Sequence, residues 1–432
     1  MSMLRRVVNL SRQLSAEYAR IDTLRAAQLD KLQRLVSEAY RHVEAYRCLM
    51  QRNGVRPEDI RSLDDIVRLP VVRKQDLLAF SEQERTHQIR TARMSTERIA
   101  TSGSSGSPFE FLVDDAGNDW RKAQYLRPYV TNGRRPWHRV LRLTAVSATA
   151  SAHRVRLGIF GETRISCVAP LKHQLDQLRA LRPVIVQGYP SALRGLAFEI
   201  ERCGVDTSAV RLVFSDSELL TPDTRVLVER AFGAPLLDVF GSFETDNIAY
   251  QCIERRGYHC ALDSAMIEIC RDDEPVSAGD GDLVVTVLNN LATPFIRYNL
   301  EDVVSLRSSS CPCGRVFPTL DVVAGRRDDL VAVEPGGWRS PLSFLWRFDS
   351  FSDHIREYQV RQTGIHRFVV KVVPQGELTE SGRSAIRQAM LEDFPEARVT
   401  VEAVDSLVRT DAGKLKAFVC DVPAERHHCD GN

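Results

Sequence analysis

Between Ala16 and Tyr46, apolar residues recur at helical spacing. They include Leu24, Leu29, Leu32, Leu35 and Ala39, with charges between them, so the pattern predicts helix. Leu69-Pro70 then punctuates the chain, and Lys74-Gln75-Asp76-Leu77-Leu78 opens a short helix. From Ile99 the texture changes to short apolar runs broken by Gly, Ser and Pro. Val184-Ile185-Val186 and Leu212-Val213-Phe214 read as buried strands. Each leads through a Gly or Ser turn into a helix-like run, Ala192–Cys203 and Pro222–Phe232. That alternation predicts an α/β layer architecture with parallel strands. A second change comes at Gly325-Arg326-Arg327-Asp328-Asp329. Beyond it, Glu357–Arg361, Arg367–Val373 and Ala397–Val404 read as strands and Glu380–Asp393 as a helix, which makes a small α+β unit with its own core. No internal repeat and no low-complexity tract interrupts the chain.

Length and charge narrow the classes. At roughly 100–200 residues per domain, 432 residues make two or three domains. The 43% hydrophobic and 27% charged content is that of a globular chain and excludes a mostly disordered one. Basic and acidic residues nearly cancel to a net charge of +1, which argues against a nucleic-acid partner. The longest apolar runs fall far short of the ~20 residues of a membrane span. Arg5 and Arg6 are followed by no apolar segment or small-residue cleavage site, so no secretory signal is expected. Ten cysteines are few for a disulfide scaffold and are expected to be reduced, in a cytoplasmic enzyme. Arg426-His427-His428-Cys429 reads as a frayed tail.

The most conspicuous segment is Thr101-Ser102-Gly103-Ser104-Ser105-Gly106-Ser107-Pro108. Its glycines let backbone approach an anion, and its hydroxyls and N–H groups can line a triphosphate. No Lys follows the second Gly, and a strand (Phe109–Val113) follows instead of a helix, so it is not a P-loop. Taken alone, such a string is also what a flexible surface loop contains. Further on, Val239-Phe240-Gly241-Ser242-Phe243-Glu244-Thr245 sets a Gly turn and a carboxylate after a buried strand. Pro294-Phe295-Ile296-Arg297-Tyr298 leads into Glu301-Asp302. Arg409-Thr410-Asp411-Ala412-Gly413-Lys414-Leu415-Lys416 lies near the end.

Four such elements in this order resemble the adenylate-forming superfamily, and within it the phenylacetate–CoA ligase-like, CapK-type branch. Branch-specific features are Gly188-Tyr189-Pro190-Ser191, Ile296-Arg297-Tyr298 running into Asp302, Cys311-Pro312-Cys313-Gly314-Arg315 and Tyr358-Gln359-Val360-Arg361-Gln362. The resemblance implies an N-terminal ATP- and acyl-binding domain over residues 1–327. This would hold a helical segment to about 90 and a zinc-binding insertion at about 252–313, and a mobile C-terminal lid domain would span 328–432. It further implies that Thr101, Ser102, Gly103, Ser104, Ser105 and Gly106 close over the ATP phosphates. Ser217, Glu218, Phe240, Gly241 and Ser242 would flank the adenine, and Asp302 and Arg326 would bind the ribose. Glu244 would hold Mg²⁺, Asp328 would be the hinge, and Lys414 would meet the substrate carboxylate and the α-phosphate. The chain departs from the usual pattern in four places. Phe240 stands for Tyr, Phe243 for Thr, and Ser217 and Glu301 each for Gly.

Cys252-x6-His259 followed by Cys311-Pro-Cys313 offers three thiolates and one imidazole, the donor set of a closed tetrahedral zinc site. The branch is known for such a site, here with a structural role. Cys260 is the substitute ligand, and buried thiols packing as small hydrophobes are the alternative. Cys48, Cys167, Cys203, Cys270 and Cys420 are expected in the core. His153 and His173 are expected as solvated or satisfied histidines, because a carboxylate nucleophile is ionised at pH 7 and needs no base.

The expected protein is thus an AMP-forming ligase using ATP and Mg²⁺, with structural Zn²⁺ and coenzyme A as co-substrate. It would act on a small-molecule acid of aryl or arylacetic type, and its oligomeric state is open, a homodimer included. The alternatives are transfer from the adenylate to an amine, hydroxyl or carrier-protein thiol, and a zinc-stabilised binding protein with a degenerate site.

Overall fold

The computed structural model describes residues 2–100, 109–145, 153–157, 159–306, 311–326, 330–333, 337–351, 354–410 and 413–422. The chain forms two compact units. The first gathers Met1–His138, Val155–Glu162 and Leu237–Val322; the second gathers Arg139–Arg154, Thr163–Leu236 and Val323–Asn432.

In the first unit, helix Ile21–His42 buries Leu24, Gln28, Leu32, Leu35, Val36 and Ala39 along one stripe. Val43 breaks it with extended backbone, and the chain continues as helix Glu44–Arg52. The expected Lys74–Leu78 helix forms over those residues. Strand order runs Glu274–Pro275, Ala265–Arg271, Asp280–Val287, Tyr298–Leu306, Thr319–Arg326, Tyr258–Cys260, Asp246–Tyr250 and Leu236–Ser242. Here the resolved pairs are antiparallel rather than parallel. A three-residue turn joins Leu236–Ser242 to Asp246–Tyr250, where a parallel pair would need a crossover instead. The span expected as a zinc-binding insertion contains strands of this sheet, including Tyr258–Cys260 at its interior. A separate antiparallel pair joins Thr96–Ala100 to Glu110–Asp114.

The second unit carries the predicted parallel layer. Val140–Thr144 lies between Phe160–Ser166 and Ile185–Gly188, and Leu212–Asp216 follows. Helices Pro190–Cys203 and Pro222–Phe232 both open on Pro, and Gly204 and Gly233 close them in left-handed backbone at φ +56° and +61°. Leu193, Leu196 and Leu227 from these helices pack on Leu141, Leu143, Val186 and Val213 of the strands. The C-terminal layer orders its strands Arg398–Ala403, Arg367–Pro374, Ile355–Gly364 and Phe418–Cys420. Helix Glu380–Asp393 contributes Ile386 and Met390 to a core with Phe344, Val360 and Val370. The boundary drawn at 327/328 falls in residues 327–329, which lie outside the described set.

Candidate functional site

In the first unit, Phe240-Gly241-Ser242 ends one strand and a three-residue turn leads into Asp246–Tyr250. A Cβ on Gly241 would lie 1.9 Å from the Asp246 carbonyl oxygen, so only glycine fits. The turn is pinned from helix Asp115–Thr131. Arg121 pairs with Asp246 and donates to the Phe243 carbonyl at 2.9 Å, and Gln124 Nε2 donates to the Thr245 carbonyl at 3.0 Å. The Ser242 N–H donates to Thr245 Oγ1 at 3.1 Å. Glu244 sits half-buried at the tip, and among the described residues its carboxylate makes no hydrogen bond or ion pair. The Phe240 ring meets Tyr258 edge-on at 6.5 Å, while Phe243 is 46% exposed.

Asp302 is half-buried on a β-bulge. Asp282 opposes Val303 and Val284 opposes Asn299, so Leu300, Glu301 and Asp302 are spread across the extra length. A bulge re-aims side chains at strand edges. Glu301 supplies the turn at φ +63°, and its N–H donates to Asn299 Oδ1 at 2.7 Å. Ser217 holds φ +71°. Both residues that replace the usual glycine therefore occupy left-handed backbone, the conformation glycine tolerates best.

In the second unit, Asp216-Ser217-Glu218 follows the carboxyl end of a parallel strand, the edge where open α/β sheets bind ligands. Glu218 faces residues of the C-terminal layer. Its Oε1 accepts the Leu415 N–H at 2.6 Å and the Ser191 hydroxyl at 3.0 Å, and its Oε2 accepts the Ser191 N–H at 2.9 Å. Burial pushes its carboxyl above the ordinary value, against these hydrogen bonds and the pull of Arg409. Lys414 lies on the turn that Thr410 closes; the Thr410 N–H donates to the Lys414 carbonyl at 2.9 Å. The Lys414 Nζ stands 5.8 Å from the centre of the Tyr189 ring.

The cysteine cluster assembles in the first unit. Donor atoms of Cys252, His259, Cys311 and Cys313 all lie within 4.8 Å of one another. Cys252 Sγ and Cys311 Sγ are 3.6 Å apart, and a tetrahedral zinc would set two thiolates about 3.8 Å apart. Cys313 Sγ is 3.3 Å from His259 Nε2, and His259 Nδ1 faces the Phe317 carbonyl at 3.3 Å. An N–H donating there leaves Nε2 as the metal-facing nitrogen. Burial pushes His259 down to about 4 and Cys252 up to about 12. Burial also opposes ionisation of Cys313, yet the Arg315 N–H, the Arg315 guanidinium and Cys311 bring its thiol below the ordinary value. Arg315 is anchored on buried Glu17 at 2.8 Å, and Glu17 also accepts from Tyr250 and Thr131 at 2.6 Å each. Cys260 stays outside the set. Consecutive strand residues point to opposite faces, and Cys260 packs in the hydrophobic core.

A second group, Glu38, His42 and His87, clusters on the N-terminal helices. His87 Nε2 lies 2.9 Å from Glu38 and Nδ1 accepts the Arg90 N–H at 3.3 Å, so the ring caps helix Gln88–Arg93 with both nitrogens engaged.

No protein-family model matches the chain. Individual sequences do match. A phenylacetate–coenzyme A ligase of Thermus thermophilus is 28% identical over 334 residues, covering 72% of each chain. The Escherichia coli enzyme of the same name is 28% identical over 340 residues, covering 73% of this chain and 74% of that one. The chain is similar to the phenylacetate–CoA ligases over nearly three quarters of its length. Its fold agrees with a 2-hydroxyisobutyryl-CoA ligase solved in the postadenylation state with 2-HIB-AMP. That structure has a TM-score of 0.77 at 22% identity and covers 94% of this chain and 91% of that one.

On this adenylate-forming scaffold, the phosphate-loop residues Thr101, Ser102, Gly103, Ser104, Ser105 and Gly106 lie outside the described residues, as does Asp328. Arg326 ends the strand Thr319–Arg326, whose last side chains are likewise outside them. Two features escaped the sequence reading: the contacts of Ser191, Glu218, Glu357 and Arg409, and the anchoring of Arg315 on Glu17. Their partners lie from 27 to 298 positions apart, beyond any local pattern. The branch motifs holding Ser191 and Arg315 were visible, but not what those side chains meet.

Proposed function

We propose that this chain activates a carboxylic acid, aryl or arylacetic in type, with Mg·ATP and passes the acyl group to coenzyme A. The substrate carboxylate oxygen bonds to the α-phosphorus, the bond to the bridging oxygen breaks, and pyrophosphate leaves. The thiol sulfur of coenzyme A then bonds to the acyl carbon and AMP departs. Lys414 is given the role of offsetting the charge that builds during the first attack. The single observation that carries this reading is the matched length and identity to the phenylacetate–CoA ligases. The contacts of the Lys414 turn with Glu218 and Tyr189 support it.

Ser217, Glu218, Phe240, Gly241 and Ser242 are proposed at the adenine and Asp302 and Arg326 at the ribose. Residues 101–106 would lie at the phosphates, with Asp328 as the hinge of the C-terminal domain. Glu244 suits Mg²⁺ because this cation keeps most of its ligands as phosphate and water and needs few from protein. The donor set and spacing of Cys252, His259, Cys311 and Cys313 suit zinc, which would fix the loops carrying the three cysteines to the strand that carries His259.

Pyrophosphate exchange across aryl, arylacetic, amino and short-chain acids, followed by AMP formation with and without coenzyme A, tests the reading. We expect exchange with phenylacetic or related acids and thioester only with coenzyme A. Lys414→Ala should abolish exchange yet still convert a supplied acyl-adenylate, and Lys416→Ala should be milder. No exchange with any acid would refute it, and adenylate formed but passed only to an amine or carrier thiol would replace the acceptor.

A further inference from the structure

Arg409 belongs to no role assigned so far, yet it is among the most connected side chains around Lys414. One guanidinium nitrogen, Nη1, donates to Ser191 Oγ at 2.8 Å and to the Gly413 carbonyl at 3.2 Å; the other, Nη2, reaches Glu357 Oε1 at 2.6 Å. Ser191 lies in the first turn of helix Pro190–Cys203, Glu357 on one of the two inner strands of the C-terminal layer, and Gly413 adjoins Lys414 in the turn. One side chain thus ties three elements together at the residue before Lys414. Glu218 holds the residue after it through the Leu415 N–H. Gly413 itself has φ +74°, and a Cβ there would meet Cys167 Sγ at 2.8 Å, so the turn is seated closely against the strand layer.

We infer that Arg409 is a positioning residue for the adenylation step, holding the Lys414 turn on Ser191 and Glu357. The inference rests on the role proposed for Lys414. The physical reason is that a lysine side chain is long and flexible, and its charge helps a transition state only if the backbone carrying it is fixed. Both contacts that Arg409 makes outside the turn are polar; Ser191 is buried, while the side chains of Arg409 and Glu357 are 20% and 16% exposed. Polar contacts of this kind can be replaced by hydrogen bonds to water when the turn withdraws for acyl transfer.

The experiment separates the two half-reactions, using phenylacetic acid or the best acid of the exchange screen, and the matching synthetic acyl-adenylate. Arg409→Met should slow pyrophosphate formation by roughly ten- to a hundredfold, as loss of alignment does. The KM for ATP should stay within about twofold, since Arg409 is not expected to touch nucleotide. Thioester formation from the supplied adenylate should be unchanged. Arg409→Lys should recover part of the loss, because an amine can reach Ser191 or Glu357 but not both. Ser191→Ala combined with Arg409→Met should cost little more than Arg409→Met alone. An equal fall in both half-reactions with circular dichroism unchanged, or no fall in adenylation, would overturn the inference. Lys414→Ala run alongside tells the two readings apart. If it keeps adenylation, the role of Lys414 fails and the positioning role with it. If it loses adenylation while Arg409→Met does not, only the positioning role fails.

Discussion

At the scale of single residues, backbone conformation and buried charge set the costs. Glu301 carries a side chain through φ +63°, where an L-residue pays roughly 1–2 kcal/mol relative to right-handed backbone. Glu301→Gly removes that strain but gives the unfolded chain more freedom, so a net gain of about 0.5–1 kcal/mol is expected. It should show as a higher denaturant midpoint, with Asn299 still accepting the residue 301 N–H; a lower midpoint would mean the Glu301 side chain has a favourable role of its own. His259 works in the other direction. Burial lowers its folded value from 6.5 to about 4, so the folded state resists a proton that the unfolded chain takes up readily. The stability this contributes is whole above pH 6.5 and is lost as pH falls from 6.5 towards 4. The shift corresponds to about 3 kcal/mol in chelator-treated protein. Bound zinc should steepen the loss, since a protonated imidazole cannot ligate. Urea midpoints at pH 7.5, 5.5 and 4.5, with zinc measured at each, check this. His259→Gln should flatten the profile, and a profile parallel to wild type would refute the assignment.

At the scale of elements, the close approach at Gly241 decides whether the turn holding Glu244 can form. With the Asp246 carbonyl 1.9 Å from any added Cβ, Gly241→Ala must part the two strands and break their register. The expected cost is about 1–3 kcal/mol, as for other forced overpacking. A sharp rise in the Mg·ATP requirement should accompany it, read by exchange assays at graded magnesium; unchanged magnesium dependence would remove Glu244 from the metal. Elements of this kind were the most legible from sequence. Helices Pro222–Phe232 and Glu380–Asp393 run over the expected residues because Pro, Thr and Gly punctuate their ends. Helix Pro190–Cys203 extends the expected run by two residues, through the proline that starts it. The antiparallel sheet of the first unit was not legible. A parallel strand such as Leu212–Asp216 and an antiparallel strand such as Asp280–Val287 carry similar apolar runs, and pairing direction is set by connections rather than by composition. Within the candidate site, the Cys and His donors were readable because metal ligation demands particular residue types. The contacts of Glu218 and Arg409 were not, since any polar pair could satisfy them.

At the scale of the whole molecule, what matters is how the C-terminal layer is held on helices Pro190–Cys203 and Pro222–Phe232 of its own unit. Arg194 is the centre of that contact. It pairs with Asp223 at 2.5 Å, and both side chains are almost fully buried, at 5% and 0% exposure. Its other nitrogens donate to the Arg356 and Ile355 carbonyls at 3.1 and 3.2 Å. The Tyr358 hydroxyl donates to Asp223 at 3.3 Å, and the Tyr358 ring stacks on Phe348 with centres 4.4 Å apart. Here the hydrogen bonds meet strand backbone, so the attachment depends on the ion pair keeping its geometry. Removing one partner of a buried pair leaves the other charged and uncompensated, at a cost of about 3–5 kcal/mol. Asp223→Ala should therefore loosen Arg194 and release the Ile355 and Arg356 carbonyls. Tyr358→Phe removes no charge, only hydrogen bonds of the hydroxyl, and should cost about 1 kcal/mol. Hydrogen exchange at Ile355–Tyr358 distinguishes local release from global loss. We expect Asp223→Ala to speed exchange there well before the strands Val140–Thr144 and Leu212–Asp216 respond. Uniform acceleration across both would mean that the C-terminal layer and the parallel sheet unfold as one cooperative body. In that case the C-terminal domain could not move separately between the two half-reactions, and the mobile-lid reading would fall.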